Sequence, residues 1–270
     1  MGITHVIRGE DHVNNTPRQL NIYRAIGARV PQFAHVPMIL GADGERLSKR
    51  HGAVSVLQYR DDGFLAESIL NYLGRLGWSH GDAELFSLSQ FVDWFDFDHV
   101  NKSPAQFDPT KLRWINQQYM KEADDERLAA LVQPVIDASG GRSEDGPPLI
   151  QVVALLKARS ETLGILADEA SMFYVDNTPA EELLTEYLTT AVRPVLADLA
   201  SVLAALPEWN ADVINASIRD MLKKYRLKMS KLAIPVRVCV FGRTNTPDLA
   251  TVLSLAGKSR VTERLQRFST

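Results

Sequence analysis

Arg46-Leu47-Ser48-Lys49-Arg50 places three cations around a hydroxyl just after the turn signal Asp43-Gly44. Taken alone, such a run is a solvated charge patch or a kinase target as readily as a ligand clamp. Its position says more. Phe33 to Leu40 is an apolar run of strand length, and a loop leaving the carboxyl end of a strand in an open α/β sheet is where such folds bind nucleotides. Cations there can follow phosphate charge as it develops. Arg8 ends the strand-like run from Thr4 and precedes Gly9, so its planar guanidinium can reach the top of the sheet and take a carboxylate through two parallel hydrogen bonds. The competing reading is a salt bridge to Glu10 or Asp11. Glu10, Asp11 and His12 invite a metal or general-base reading. The other histidines, at 5, 35, 51, 80 and 99, show no zinc-ligand spacing, and no protein-bound metal is expected.

The elements that must hold these residues are legible nearby. Thr16-Pro17-Arg18-Gln19 reads as a capping box with proline at the first helical position, and Gly27 sits where that helix should stop. Strand, helix, strand, basic loop is half of a doubly wound nucleotide-binding unit. Only two strands precede a change of pattern, and they begin at residue 3, so the sheet is expected to be cut short. After Gly63, Leu65, Ile69, Leu70, Leu73 and Leu76 recur at helical spacing up to Gly77. Helices are predicted over Leu88 to Phe95, Pro109 to Met120, Asp124 to Ala138, Pro148 to Ala167, Glu181 to Leu206 and Ala211 to Met229. The Gly- and Pro-rich stretch Ser139 to Pro148 is the best linker candidate, with a second break near Pro207. Val236 to Phe241 alternates like a strand, yet it lies between Pro235 and Gly242, which also suits a short helix.

Composition bounds the answer. A chain of 270 residues with 45% hydrophobic and 23% charged side chains is ordinary globular material, long enough for about two compact units and unlike disordered or collagenous sequence. The one cysteine, Cys239, lies between two valines and reads as a buried structural thiol. No stretch has the apolar length of a membrane span, and Met1 to Gly9 lacks a signal peptide's apolar core, so a soluble cytoplasmic protein is expected. The overall charge of −3 argues weakly against a general nucleic-acid binder but hides an asymmetry. Residues 219–270 carry twelve Lys or Arg against three Asp or Glu, a net +9 that leaves −12 for the rest. A basic tail on an acidic body is either a footprint for a polyanion or a solvated helical surface.

Taken together, Thr4-His5-Val6-Ile7-Arg8-Gly9-Glu10-Asp11-His12, Asn15 to Gln19 and Arg46 to Gly52 resemble the second half of the catalytic domain of bacterial glutamyl-tRNA synthetases. Asn71-Tyr72-Leu73, Leu76-Gly77-Trp78, Phe107-Asp108 through Trp114-Ile115-Asn116, and Leu232 through Arg237 follow in that family's order. The resemblance implies a mainly α protein: a remnant of the class I Rossmann-type α/β catalytic domain at 1–60, a stem-contact helical domain at 61–122, and all-α anticodon-binding subdomains at 123–206 and 207–270. It implies a glutamate–tRNA ligase fragment, acting as a monomer with ATP and Mg2+, L-glutamate and tRNA(Glu). Arg46, Leu47, Ser48, Lys49 and Arg50 would form the loop that closes over ATP, with the Lys49 ammonium stabilising pyrophosphate as it leaves. Arg46 stands where a lysine is usual, which keeps the charge but makes the donor a fork. By the same resemblance, Arg8 would hold glutamate. Glu10, Asp11 and His12 would lie near ATP or the tRNA 3′ end, since a carboxylate already ionised needs no general base for adenylation. Arg237 and the loop Thr246-Pro247-Asp248-Leu249 would meet anticodon bases, with Arg159 a second candidate from the preceding subdomain. Trp78, Trp94, Trp114 and Trp209 read as core residues rather than base-stacking platforms.

Lys228-Met229-Ser230-Lys231 spells the familiar form of the ATP-loop signature, but it is expected at the end of a helix with no strand before it, so the ATP role goes to Lys49. The family's N-terminal half, with its His-containing phosphate motif, has no counterpart, and the chain is expected to be inactive alone. Two alternatives are a glutaminyl-tRNA synthetase, which reads its anticodon with β-barrels, and a non-catalytic tRNA-binding module.

Overall fold

The computed structural model describes residues 2–47, 55–176 and 178–269. The chain forms two compact units, residues 1–122 and 123–270. Among the described residues there are four short strands, all in the first unit, and fourteen α-helices. None of these helices is long and apolar enough to cross a membrane.

The first unit opens with β1 (His5–Gly9), a 3-10 turn over Glu10–Asn15, α1 (Thr16–Ala25) and β2 (Gln32–Val36). β1 and β2 pair in parallel, with Arg8 opposite His35 and Gly9 opposite Val36. The capping box does not form. Because the 3-10 turn runs straight into α1, Asn15 already has helical dihedrals at the N-cap, and the Thr16 hydroxyl donates instead to the carbonyl of His12. The predicted run Phe33 to Leu40 is also interrupted, since Pro37 can donate no ladder hydrogen bond. β3 (Ile39–Leu40) follows it and pairs in parallel with β4 (Ala105–Gln106), so the strands belong to two separate two-stranded pieces.

α2 (Val56–Asp61) leads to α3 (Ala66–Gly77), and α4 (Leu88–Trp94) to α5 (Pro109–Glu122). Ile69, Tyr72 and Leu76 of α3 pack on Leu112 and Ile115 of α5. The predicted stripe shifts round the helix: Leu70 and Leu73 are exposed, whereas Ser68 and Asn71 are buried. The shift is tolerated because both polar side chains are hydrogen-bonded. Asn71 Nδ2 donates to the Glu84 carbonyl, while its Oδ1 accepts from Phe86 N and the Tyr119 hydroxyl. Asn116, buried on α5, accepts from Leu65 N at 2.8 Å and from the Ser68 hydroxyl at 2.6 Å.

The second unit is helical throughout its described residues: α6 (Asp125–Ala138), α7 (Leu149–Leu156), α8 (Leu163–Ser171), α9 (Glu181–Tyr187), α10 (Arg193–Ala204), α11 (Ala211–Tyr225), α12 (Met229–Phe241), α13 (Leu249–Ala256) and α14 (Lys258–Ser269). A barrel-type reader has no place in it. Three long predicted helices are each broken. Ser160 bonds back to the Leu156 carbonyl and Thr162 caps α8, which splits 148–167. Pro194 in the first turn of α10 and the buried Leu188 split 181–206. Arg226 in the left-handed conformation (φ 52°) ends α11, so Lys228 to Lys231 opens a helix instead of closing one. The stretch Ser139 to Pro148 is no linker between units: Gly141 and Gly146 are pressed against Tyr174, where a Cβ on Gly146 would lie 2.6 Å from the ring. Val236 to Phe241 is helical. Six of its neighbours and members, Leu232, Val236, Val238, Cys239, Val240 and Phe241, are buried, and a helix buried all round shows no 3.6-residue period. Burial pushes the Cys239 thiol up to about 12, consistent with an inert structural role.

Replacing Asn116 with alanine strands the buried Leu65 amide, while the Ser68 hydroxyl keeps the Leu65 carbonyl as its acceptor. Asn116→Ala is expected to cost the first unit about 2 kcal/mol, seen by calorimetry as a lower midpoint for one transition with the transition of the second unit unmoved.

Candidate functional sites

In the first unit the chemistry gathers at the carboxyl ends of β1 and β2. The parallel register sets Arg8 beside His35. Arg8 Nη2 donates to the Thr16 hydroxyl at 2.9 Å and to the His12 carbonyl at 3.4 Å, its Nε faces His35 Nε2 at 3.4 Å, and its guanidinium carbon lies 5.4 Å from the centre of the Phe33 ring. All these partners are neutral oxygens, an imidazole and a ring face. Among the described residues no carboxylate pairs with Arg8. Both carboxylates of the competing salt-bridge reading are used elsewhere: Glu10 accepts from Met38 N at 3.2 Å, and Asp11 pairs with Arg46 Nη2 at 3.2 Å. The guanidinium is thus oriented by neutral partners, with no carboxylate paired to it among the described residues, an arrangement that can take an anion.

Gly9 leaves room at the turn out of β1 for the Asp11 carboxylate, since a Cβ there would lie 2.5 Å from Asp11 Oδ1 unless that side chain shifted. Asp11 in turn fixes the loop after β3. Gly41 N donates to the Glu45 carbonyl, Gly44 takes a positive φ of 79°, and Leu47 N returns to the Ile39 carbonyl, so the turn folds back on β3 and presents Arg46 to Asp11. His12 Nδ1 lies 3.1 Å from Asn15 Nδ2. The structure therefore brings Arg8, Asp11, His12, Thr16, His35 and Arg46 together. Ser48, Lys49, Arg50, His51 and Gly52 lie outside the described residues. Sequence reasoning placed His35 among structural or surface histidines and used Thr16 only as a cap. The signal that finds both is the register of two parallel strands: the residue beside Arg8 on β2 is the histidine of Phe33-Ala34-His35-Val36.

In the second unit, Arg237 on α12 donates through Nε to the Thr246 hydroxyl at 2.9 Å and through Nη2 to the Pro247 carbonyl at 3.4 Å; the Thr246 hydroxyl also donates to Pro247. Asp248 caps α13 through Thr251 N, which fixes the far end of the same loop. Burial lowers the affinity of Arg237 for its proton, with the nearby Asp248 charge opposing. Beside it opens a cavity of about 680 Å³, lined among others by Tyr187, Asn215, Met229, Arg237, Asn245 and Leu249. Leu249 is only 5% exposed, so it serves this cavity as wall. Arg159 ends a 3-10 turn over Lys157–Arg159 and pairs with Glu169 Oε2 of α8 at 3.2 Å. Of the tryptophans, Trp78 is buried, Trp94 stacks on His80 with ring centres 4.5 Å apart, and Trp209 Nε1 donates to the Ser254 carbonyl. Trp114 departs from the core expectation: it is 41% exposed on α5 with Lys111 Nζ 4.4 Å from its ring centre, a wet amphipathic platform.

Residues 1–114 match the family of class I tRNA synthetase catalytic domains (E and Q), and residues 127–269 match the anticodon-binding domain family. The chain belongs to the class I tRNA synthetases. It is 56% identical to a glutamate–tRNA ligase of Thiobacillus denitrificans over 98% of its own length and 56% of that protein. It is 54% identical to one from Nitrosospira multiformis over 99% of its length and 58% of the relative. A solved glutamate tRNA ligase from Elizabethkingia meningosepticum, in complex with its amino acid, superposes with a TM-score of 0.83 at 25% identity, covering 99% of this chain and 57% of that one. The chain thus spans little more than half the length of the synthetases it matches. Within this synthetase chain, the first site falls in the catalytic-domain stretch and the second in the anticodon-binding stretch.

Thr246→Val keeps the shape and removes the acceptor of Arg237 Nε. The second unit is expected to lose about 1 kcal/mol, measured as a lower urea midpoint with the helical circular dichroism signal intact.

Proposed function

We propose that this chain is part of a glutamate–tRNA ligase of the cytoplasm, in which ATP, carried as its Mg2+ complex, activates L-glutamate as the adenylate before the acyl group passes to the terminal adenosine of tRNA(Glu). The observation that carries the reading is the Arg8 guanidinium held by neutral partners at the carboxyl end of a two-strand parallel sheet, in a chain 56% identical to a glutamate–tRNA ligase along nearly its whole length.

The roles follow from charge. Arg8, held by neutral acceptors, binds the substrate carboxylate that does not react. The reacting carboxylate is ionised at neutral pH and attacks the α-phosphate without a protein base. Negative charge then builds on the departing pyrophosphate, where a lysine ammonium lowers the barrier more than it stabilises the resting substrate. Lys49 fills that role, with Arg46, Leu47, Ser48 and Arg50 as the rest of the loop. Asp11 secures the root of the loop through Arg46, while Glu10 and His12 shape the floor near ATP or the tRNA 3′ end. In the second unit Arg237, with Thr246, Pro247 and Leu249, and separately Arg159, meet the anticodon, where guanidinium forks read base edges and the net +9 of residues 219–270 attracts phosphate. The stem-contact stretch 61–122 and the subdomain boundary at 206 belong to the same reading, as does action as a monomer.

The chain alone is expected to give no glutamate-dependent pyrophosphate exchange, and in the full-length enzyme Lys49→Ala is expected to lower kcat/KM for exchange by roughly 10²- to 10³-fold. Exchange by the isolated chain would overturn the division of labour. Arg237→Ala in the chain is expected to weaken retention of glutamate tRNA on filters and to make its dependence on salt shallower by about one unit of log–log slope. Unchanged retention would remove the anticodon role of Arg237.

A further inference from the structure

Arg159 sits on a 3-10 turn of three residues, a short element that does little to fix a long side chain. What fixes it is α8. Glu169, one turn from the end of that helix, places Oε2 3.2 Å from Arg159 Nε, with the carboxylate 21% and the guanidinium 34% exposed. The contact is an ion pair without hydrogen-bond geometry, and Oε2 is itself sealed from solvent with no hydrogen bond. A carboxylate oxygen shut away in this manner is costly unless cations face it. Two do: Arg159 and Arg243, while Asp168 adds a like charge. Desolvation raises the Glu169 pKa, and both arginines pull it back.

Arg243 comes from the other candidate reading point. It follows α12 and leads into the Thr246-Pro247 loop, and it is anchored on α8 by the Asp168 carbonyl at 3.3 Å and the Asp168 carboxylate at 3.6 Å. The end of α8 therefore holds the Arg159 turn with one acidic residue and the root of the Arg237 loop with its neighbour. The terminal nitrogens of Arg159 make no hydrogen bond among the described residues, so the pair at Nε orients the fork and leaves its donors available.

We infer that Glu169 is a positioning residue for anticodon reading: its carboxylate holds Arg159 in one orientation, and with Asp168 and Arg243 it sets the spacing between Arg159 and the Arg237 loop. This rests on the proposed role of Arg159. Glu169 touches no nucleotide; it removes the freedom of a side chain that must meet one base edge, and a fork that samples several orientations reads none of them well.

The test uses the 270-residue chain and in-vitro transcripts of glutamate tRNA, one with its own anticodon and three each with one anticodon base replaced. Affinities are measured for wild type, Glu169→Gln, Arg159→Ala and the double variant. Glu169→Gln is isosteric and removes only the charge. It is expected to weaken the cognate transcript about tenfold and to flatten discrimination at the same base as Arg159→Ala. Affinity for the transcript altered at that base should hardly change, and the double variant should bind no worse than Arg159→Ala alone. A merely structural role would weaken all four transcripts alike and add to Arg159→Ala, which would overturn the inference. Discrimination left intact by Glu169→Gln but lost in Arg159→Ala would overturn it while leaving the Arg159 reading standing. Discrimination left intact by Arg159→Ala would overturn that reading itself. If Glu169→Gln lowers the thermal midpoint, Arg243→Gln supplies a second arm: leaving Glu169 in place, it should retain discrimination at the Arg159 base and lose it at the base read by Arg237, and the reverse pattern would overturn the spacing role.

Discussion

A guanidinium held by neutral oxygens keeps its full positive charge while losing its freedom to turn, and both units of this chain use that arrangement. Arg8 is aimed by a threonine hydroxyl and a main-chain carbonyl, Arg237 by a threonine hydroxyl and a proline carbonyl. A carboxylate partner would orient either one as well, but it would also neutralise the charge and compete with an incoming anion or base edge. The acids available to Arg8 are spent on other work. Glu10 takes the Met38 amide and Asp11 takes Arg46. The local architecture is consistent with that division: Asp11 lies against Gly9, and the turn after β3 folds back so that Arg46 meets it.

Arginines that are not free for ligands do the opposite work in the second unit. Arg260 donates to the Met172 and Val175 carbonyls, and Arg264 donates to the Cys239 carbonyl while pairing with Asp176. Burial lowers the pKa of both, yet a guanidinium stays protonated in proteins at physiological pH. They close off the carbonyls that the end of α8 and the last turn of α12 would otherwise leave unpaired. Four of the residues carrying the +9 of the basic tail are thus accounted for by Arg243, Arg260, Arg264 and Lys258, whose ammonium caps the Leu206 carbonyl. The basic tail is therefore partly a set of internal clamps and only partly a face for a polyanion.

How far the fold could be read from sequence follows the same physics. α3, α5, α6 and the β1–α1–β2 order were legible because half-buried elements carry a period and punctuation. α12 was not, because burial on all sides erases the period. The three over-long helices were misjudged where Ser160, Thr162, Pro194 and Arg226 redirect main-chain hydrogen bonds at single residues, a choice that apolar spacing cannot register. The shift of the buried face of α3 toward Ser68 and Asn71 was invisible for a related reason. Their partners, Asn116 and Tyr119, lie some fifty residues away and only the packed core unites them. At the site, Arg8, Asp11 and Arg46 were legible as types near a strand end. His35 and Glu169 were not, since each earns its place by register or by a helix face and carries no motif of its own.

Lys228 to Lys231 shows why placement decides between like spellings. The four letters match a phosphate-loop signature, but here they begin α12, with Lys228 at the N-cap and Leu232 and Ala233 already buried. A helix start offers fixed main-chain donors and side chains pinned at helical spacing. Charge developing on a leaving group needs a cation able to move with it, and a loop rooted at the carboxyl end of a strand allows that movement. Arg46 is tied at such a root by Asp11 and remains largely exposed beyond it. The turn that carries Arg46 therefore leaves the carboxyl end of β3, whereas Met229 and Ser230 line the cavity beside Arg237. In the proposed reading the two copies of one motif are told apart by the backbone that precedes them, and the ATP role goes to the copy that follows a strand.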